Sequence, residues 1–284
     1  MRVAEIMSRD LKWIQPTATV RKAVALMDQH RIGSVLVGGP NLPPAVMTET
    51  DVVRRVVAAD RDPGAMRVDD AVSRPLITLD ERQSIEEAGD LMAEHGVRHV
   101  GVTRRDELVG MVSVRDLLSK VTVLELPIER MMARSPIIVP FDESVRNAAA
   151  LMTRDAVSAV LVAGPRGGAR MAHARGFGRS DLAGLVTAAD FVHRVVAKDR
   201  NPRATAVGEI MSALRETIDG RDPLRTAFAF MSDRHLRHAA VSIGDEIAGL
   251  LAIEDVFEPA WLHVAAPFPP RETPRTRSRR SPNT

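Results

Sequence analysis

The chain contains no cysteine and no tyrosine. Without cysteine there are no disulfides, thiolate metal sites, cysteine nucleophiles or iron–sulfur clusters, which fits a reducing compartment. Aromatic residues make up only 3% of the sequence, too few to build a stacking platform for single-stranded nucleic acid. Long apolar runs are also missing. The longest are strand-sized, as in Ser34-Val-Leu-Val-Gly38, far short of a membrane span. Near the N-terminus, Glu5 stands where a signal peptide would have its apolar region. These absences lead us to expect a soluble, cytoplasmic protein with no membrane partner. With 45% hydrophobic residues over 284 positions, the chain has enough apolar material for a well-buried core and two domains.

Positive charge is unevenly placed. Residues 164–180 hold four arginines and no acid, and residues 267–284 hold five arginines and one glutamate, so each segment carries +4. Subtracting both from the chain's net +2 leaves the remaining body at −6. A basic binding face on the folded body is therefore not indicated, and any attraction for nucleic acid would come from one loop and one tail.

What the sequence does contain is a repeat. Four segments share one register, running from Met7 to Met27, Val72 to Met92, Met132 to Met152 and Met211 to Met231, each spaced by 20 residues. Four positions before the second Met stand Ala23, Ala88, Ala148 and Ala227; seven before it stand Val20, Ile85, Val145 and Leu224. This is one helical stripe with a small residue where another element approaches. A β-rich run follows each helix, then a turn, a second apolar run and an Asp that opens a further helix: Asp51, Asp116, Asp190 and Asp255. From the helix Met to this Asp is 24 residues in units one, two and four but 38 in unit three, which places the extra 14 in the arginine-rich turn.

A longer period overlies the first, since Asp51 to Asp190 and Asp116 to Asp255 are both 139 residues. The segment Arg55-Val-Val-Ala-Ala-Asp-Arg-Asp-Pro63 recurs at that offset as Arg194-Val-Val-Ala-Lys-Asp-Arg-Asn-Pro202. A duplicated pair of β-α-β-β-α units explains both periods. The expected boundaries are a first pair over 1–125 (units 1–63 and 64–125) and a second pair over 126–264 (units 126–203 and 204–264, with 164–180 as an inserted hairpin loop). Residues 265–284 form a disordered basic tail.

The stretches Gly110-Met-Val-Ser113-Val-Arg-Asp116 and Gly184-Leu-Val-Thr187-Ala-Ala-Asp190, with variants at Ala45–Asp51 and Gly249–Asp255, closely resemble the cystathionine β-synthase (CBS) domain family. The resemblance runs from Val3 to about Trp261. It implies an α+β fold of four repeats arranged as two paired (Bateman) modules, similar in layout to the regulatory γ subunits of AMP-activated protein kinase. It also implies clefts for adenosine nucleotides between paired units and no catalytic domain.

On the residues alone, a hydroxyl three positions before an acid is equally a capping box. The two roles are compatible, and the resemblance points to ligand binding by Thr48 and Asp51, Ser113 and Asp116, and Thr187 and Asp190. Unit four has Ala252 in place of the hydroxyl, so Asp255 marks a degenerate site. One turn beyond the Asp, Arg55, Lys120 and Arg194 either reach a phosphate or pair with the Asp at i,i+4. The first strands, with Ile14, Ile77, Ile138 and, in the degenerate unit, Ile218, are buried strands that the resemblance makes walls of an adenine pocket. His99 and His238 read as interface residues rather than metal ligands, and Arg98 and Arg237 as candidates for phosphate contact.

The functional expectation is a non-catalytic regulatory protein that takes an adenosine nucleotide (AMP, ADP or ATP class) as ligand rather than cofactor. Such a protein would signal through altered module packing to an effector protein or a homo-oligomer. The alternative is a nucleic-acid-associated or scaffolding protein acting through the arginine-rich loop and tail. An enzyme is disfavoured, because no nucleophile–base set or metal constellation stands out.

Overall fold

A computed structural model describes residues 1–38, 43–72, 75–118, 126–164, 178–253 and 255. Unit one runs β1 (Trp13–Ile14), α1 (Val20–His30), β2 (Ser34–Val37), β3 (Ala45–Thr48) and α2 (Glu49–Val52), which continues as a π-helical turn over Val53–Val57. Unit two repeats the order as β4 (Thr78–Asp80), α3 (Ile85–His95), β5 (His99–Arg104), β6 (Glu107–Ser113) and α4 (Val114–Leu118). Unit three has β7 (Ile138–Val139), α5 (Val145–Arg154), β8 (Ala159–Ala163), β9 (Leu182–Thr187) and α6 (Ala188–Asp190), with a second π turn over Phe191–Val195. Unit four opens with α7 (Val207–Ile210) and β10 (Ser212–Ala213), followed by β11 (Ile218–Asp219), α8 (Leu224–Asp233), β12 (His238–Ile243) and β13 (Glu246–Ala252).

Each unit folds its three strands into one small sheet. The first strand lies parallel to the second across a helical crossover, and the second and third pair antiparallel. Side-chain caps fix where three of the crossover helices begin, with Thr19, Ser84 and Ser144 accepting from the N–H groups of Lys22, Glu87 and Asn147. Gly96, in the left-handed region at φ 61°, ends the helix of unit two. All twelve residues of the predicted stripe are buried.

The first segment of each unit does not stay with its own body. In unit one it crosses to unit two, where Ser8 bridges Met111; in unit three it crosses to unit four, where Ala133 bridges Leu250. In the other direction, β10 of unit four joins the edge of β9 in unit three. These exchanges explain three glycines of the motif. A Cβ on Gly110 would stand 2.4 Å from Met7 Sδ, one on Gly184 2.6 Å from Met211 Sδ, and one on Gly249 2.7 Å from Met132 Sδ. Unit one has Ala45 at the equivalent place, and the crossing segment of unit two carries the smaller Val72 there. Ala45 and Val72 lie in the same buried core, so the larger motif residue comes with a smaller residue in the crossing segment.

Two larger cores join the halves. One combines the helices and sheets of units one and three with the crossing residues Val68, Ala71, Val207 and Ile210; the other combines units two and four with Val3, Met7, Ile128 and Met132. A smaller cluster around Leu161, Ala240 and Leu250 lies between the sheets of units three and four. Around the rim of the first core the duplicated Asp-Arg-x-Pro segments dock reciprocally. Asp199 pairs with Arg21, and Asp60 pairs with Arg203 and Arg146. The fold is therefore α+β, with four units in two paired modules.

Residues 165–177 of the expected inserted loop, Lys120, and the basic tail lie outside the described residues. At the loop's base, Gly164 N–H donates to the Asp181 carbonyl at 2.7 Å, and the flanking strands β8 and β9 pair antiparallel.

Candidate functional site

At all four expected positions the Asp closes back onto the N-cap backbone. Thr48, Ser113, Thr187 and Ala252 each donate their N–H to the Asp three residues on, at 2.8–2.9 Å. Where a hydroxyl exists it donates to the same oxygen: Thr48 Oγ1 at 2.7 Å, Ser113 Oγ at 2.6 Å and Thr187 Oγ1 at 2.9 Å. Capping chemistry is therefore realised in every unit, and Ala252 makes only its backbone half. Burial pushes the Asp190 carboxyl above the usual carboxylate range, against the hydrogen bond from Thr187 N–H and the charge of Arg194.

The i,i+4 cations pair with these acids. Arg55 Nε lies 3.7 Å from Asp51 Oδ1, and Arg194 Nε lies 3.2 Å from Asp190 Oδ1. Arg194 also donates to the Ile210 carbonyl at 2.6 Å and to Ser212 Oγ at 3.1 Å, which fastens the crossing segment of unit four onto unit three.

Between units one and two lies a cleft of about 310 Å³. Thr48 and Asp51 stand on one wall, Leu76 and Ile77 on another, with Ser113 among the lining residues. Four arginines face it, namely Arg54, Arg98, Arg115 and Arg237, against two carboxylates, Glu49 and Asp51. His99 completes the lining; burial first, then the neighbouring Arg98 and Arg237, lower its pKa to about 4, so it stays neutral and leaves the positive excess to the arginines. A second cavity of about 400 Å³ adjoins it, sharing Thr50, Arg54 and Arg98 and extending to Met152 and Ser158 of unit three.

Of the residues expected from the sequence, Thr48, Asp51, Ser113 and Ile77 meet in this one cleft, joined by Arg98 and Arg237. Asp116 stands one hydrogen bond behind Ser113. Arg55 and Ile14 do not line the cleft, and Thr187, Asp190, Arg194, Ile138, Asp255 and Ile218 belong to the other half. His238 does lie at an interface, its Nε2 2.7 Å from Ser158 Oγ of unit three. Among the described residues no cluster of His, Asp and Glu could hold a metal ion.

Sequence reasoning named Arg237 but missed the carboxylate it pairs with. Glu49 is 5% exposed; its Oε2 accepts from Arg237 of unit four at 2.5 Å, and its Oε1 lies 3.5 Å from His193 Nε2 of unit three. His193 Nδ1 in turn lies 3.0 Å from Asp28, which also takes Lys198 at 2.9 Å. Burial alone would push the Glu49 carboxyl up, but His193 and Arg237 outweigh it and hold it below its ordinary range. The sequence signal was faint: Glu49 stands where the other units carry Val114, Ala188 and Ile253.

Family comparison gives a consistent picture. The CBS domain family matches residues 3–58, 68–122 and 128–197, which are the first three units. The chain is 30% identical over 115 residues to the CBS domain-containing protein YhcV of Bacillus subtilis, covering 40% of this chain and 81% of that one. It is 28% identical over 114 residues to Hypoxic response protein 1 of Mycobacterium tuberculosis, covering 40% and 80%. Among solved structures it is similar to a Methanocaldococcus jannaschii protein described as a proposed archaeal homologue of g-AMPK. That match has a TM-score of 0.73 at 19% identity, over 91% of this chain and 99% of the other. The likeness shows the fold, and it takes in the fourth unit that the family match leaves out. With three units matched in sequence and the fourth alike in structure, the chain belongs to the CBS domain family.

Proposed function

We propose that this chain is a non-catalytic regulatory protein that binds an adenosine nucleotide in the cleft between units one and two. One observation carries the reading. The cleft combines a carboxylate suited to a ribose diol, Asp51, with the apolar wall Leu76–Ile77 and a surplus of arginine. A nucleotide needs those three features together, and a volume near 310 Å³ lies within the range of small-ligand sites. CBS domain proteins commonly bind adenosine ligands and act in regulation, which supports the same conclusion. Signalling follows if the ligand binds two packings of the modules with different affinity. The scaffolding alternative rests on residues 165–177 and the tail, outside the described residues.

Calorimetry and thermal shift with AMP, ADP, ATP and S-adenosylmethionine test the proposal. A ligand at 100 times its dissociation constant should stabilise the protein by about 2.7 kcal/mol. Asp51→Asn should weaken that binding at least tenfold while Asp255→Asn leaves it unchanged. Absence of any response to all four ligands would sink the reading.

A further inference from the structure

Glu49 occupies an unusual place for a carboxylate. It is buried at the first helical position of α2, inside a cleft that otherwise favours anions, and Arg237 of that cleft is bound to it. The sequence makes room for this pair. A Cβ on Gly33 would stand 2.6 Å from Arg237 Nη2 and 3.2 Å from Glu49, so the missing side chain of unit one is filled by the guanidinium of unit four. Around Glu49 the charged and titratable groups are Arg237, His193, Asp190, Arg115 and His99. Two of these, Arg237 and Arg115, line the cleft as cations. Any anion that reaches Arg237 must share it with a carboxylate that burial makes costly to leave unpaired.

We propose that Glu49 is an internal competitor for the ligand's phosphate: it holds Arg237 for itself, and so grades the cleft against ligands of high negative charge. The proposal rests on the reading that this cleft takes an adenosine ligand. The nucleoside part binds at Asp51 and Ile77 and carries no net charge, so it is indifferent to the charge of Glu49. The phosphate part meets both the attraction of Arg237 and the repulsion of Glu49, and the repulsion grows with each added phosphate. Specificity is then set by a repulsive element as much as by an attractive one.

The test is calorimetry on the full chain with adenosine, AMP, ATP and inorganic pyrophosphate. Glu49→Gln keeps the shape and removes the charge. It should raise the affinity for AMP about tenfold and for ATP by more, while adenosine stays within twofold. Unchanged or weakened AMP binding in Glu49→Gln, with adenosine retained, overturns the proposal and leaves the nucleotide reading standing. If neither protein binds any of the nucleosides or nucleotides, the nucleotide reading fails, and pyrophosphate decides the competition. Tighter pyrophosphate binding by Glu49→Gln supports it, and equal binding or none overturns it. Should Glu49→Gln not fold, Arg237→Gln serves in its place. That change removes the contested cation and should lower the ratio of AMP to adenosine affinity; an unaltered ratio overturns the proposal.

Discussion

If the first segment of each unit is seated on its module partner, Met7 and Gly110 form a matched pair that can be exchanged for the other pair in the same half. Gly110→Ala places a methyl 2.4 Å from Met7 Sδ, 2.8 Å from Cγ and 3.1 Å from Cβ. All three atoms belong to one side chain, and Met7 is only 8% exposed. Overpacking of this kind costs about 1–3 kcal/mol. Met7→Val alone removes one side-chain heavy atom from a buried position, a loss of about 1 kcal/mol. Combined, the two substitutions reproduce the Val72 and Ala45 arrangement that the chain already uses. The double variant should therefore be destabilised by about 1 kcal/mol instead of the 2–4 of the summed singles, a coupling of about 1–3 kcal/mol. Urea unfolding followed by circular dichroism reads all four corners of the cycle, and a shift of about 2–4 °C per kcal/mol should appear in thermal melts. Strict additivity would refute the reasoning, because residues that do not touch cannot repair each other. Gly249→Ala supplies the contrast: its Cβ would also stand 2.6 Å from the Ala133 carbonyl oxygen, so trimming Met132 should not rescue it.

Two further outcomes are expected. His193 has a carboxylate at each ring nitrogen, so only the imidazolium can donate to both; Glu49 first, and then Asp28, raise its pKa from the ordinary 6.5 against the effect of burial. Its contribution should be full below pH 6.5 and disappear as pH rises through the raised value, whereas that of Asp28, whose pKa Lys198 and His193 lower from 3.8, is lost only as pH falls through the lowered value. Melting temperatures of wild type and His193→Gln should thus differ most between about pH 4 and 6.5 and converge at alkaline pH; an equal difference at pH 5.5 and pH 9 would remove His193 from the contact. In unit four, Ala252→Thr should complete a capping box whose backbone half already exists at 2.8 Å, raising stability by ~1 kcal/mol without creating a nucleotide site. New stoichiometric nucleotide binding by that variant, seen in calorimetry, would show that the hydroxyl alone had been limiting.

Much of the fold lay open in the sequence because it depends on contacts that repeat. The stripe Val20, Ala23 and Met27 recurs four times, and α1 (Val20–His30) opens on the first residue of that stripe and carries all three. The motif's hydroxyl and acid were legible too, since the cap they form is local. Even the crossing segments had left a mark. Three units pair Met with Gly and the remaining one pairs Val with Ala, but the match runs between different units, Met7 with Gly110 and Met211 with Gly184. Reading each unit by itself hid it.

Glu49 and its pairing with Arg237 could not be found that way, because they exist only where the symmetry fails. Gly33 and Arg237 stand at equivalent positions of their units, as do Ser158 and Arg98, and a strictly repeated chain would bring like residues together at the centre. Small residues in the odd units and arginines in the even ones resolve that collision by size, and Glu49, with no acidic counterpart in the other three units, resolves it by charge. Such a residue carries no periodic signal, and its partners lie 144 and 188 positions away in the chain. Duplication therefore explains the scaffold, and divergence at the meeting point of the units explains why the cleft of the first half is chemically distinct. Ligand selectivity in this chain should accordingly follow substitutions at Gly33, Glu49 and Arg237 more closely than substitutions within the repeated motif itself.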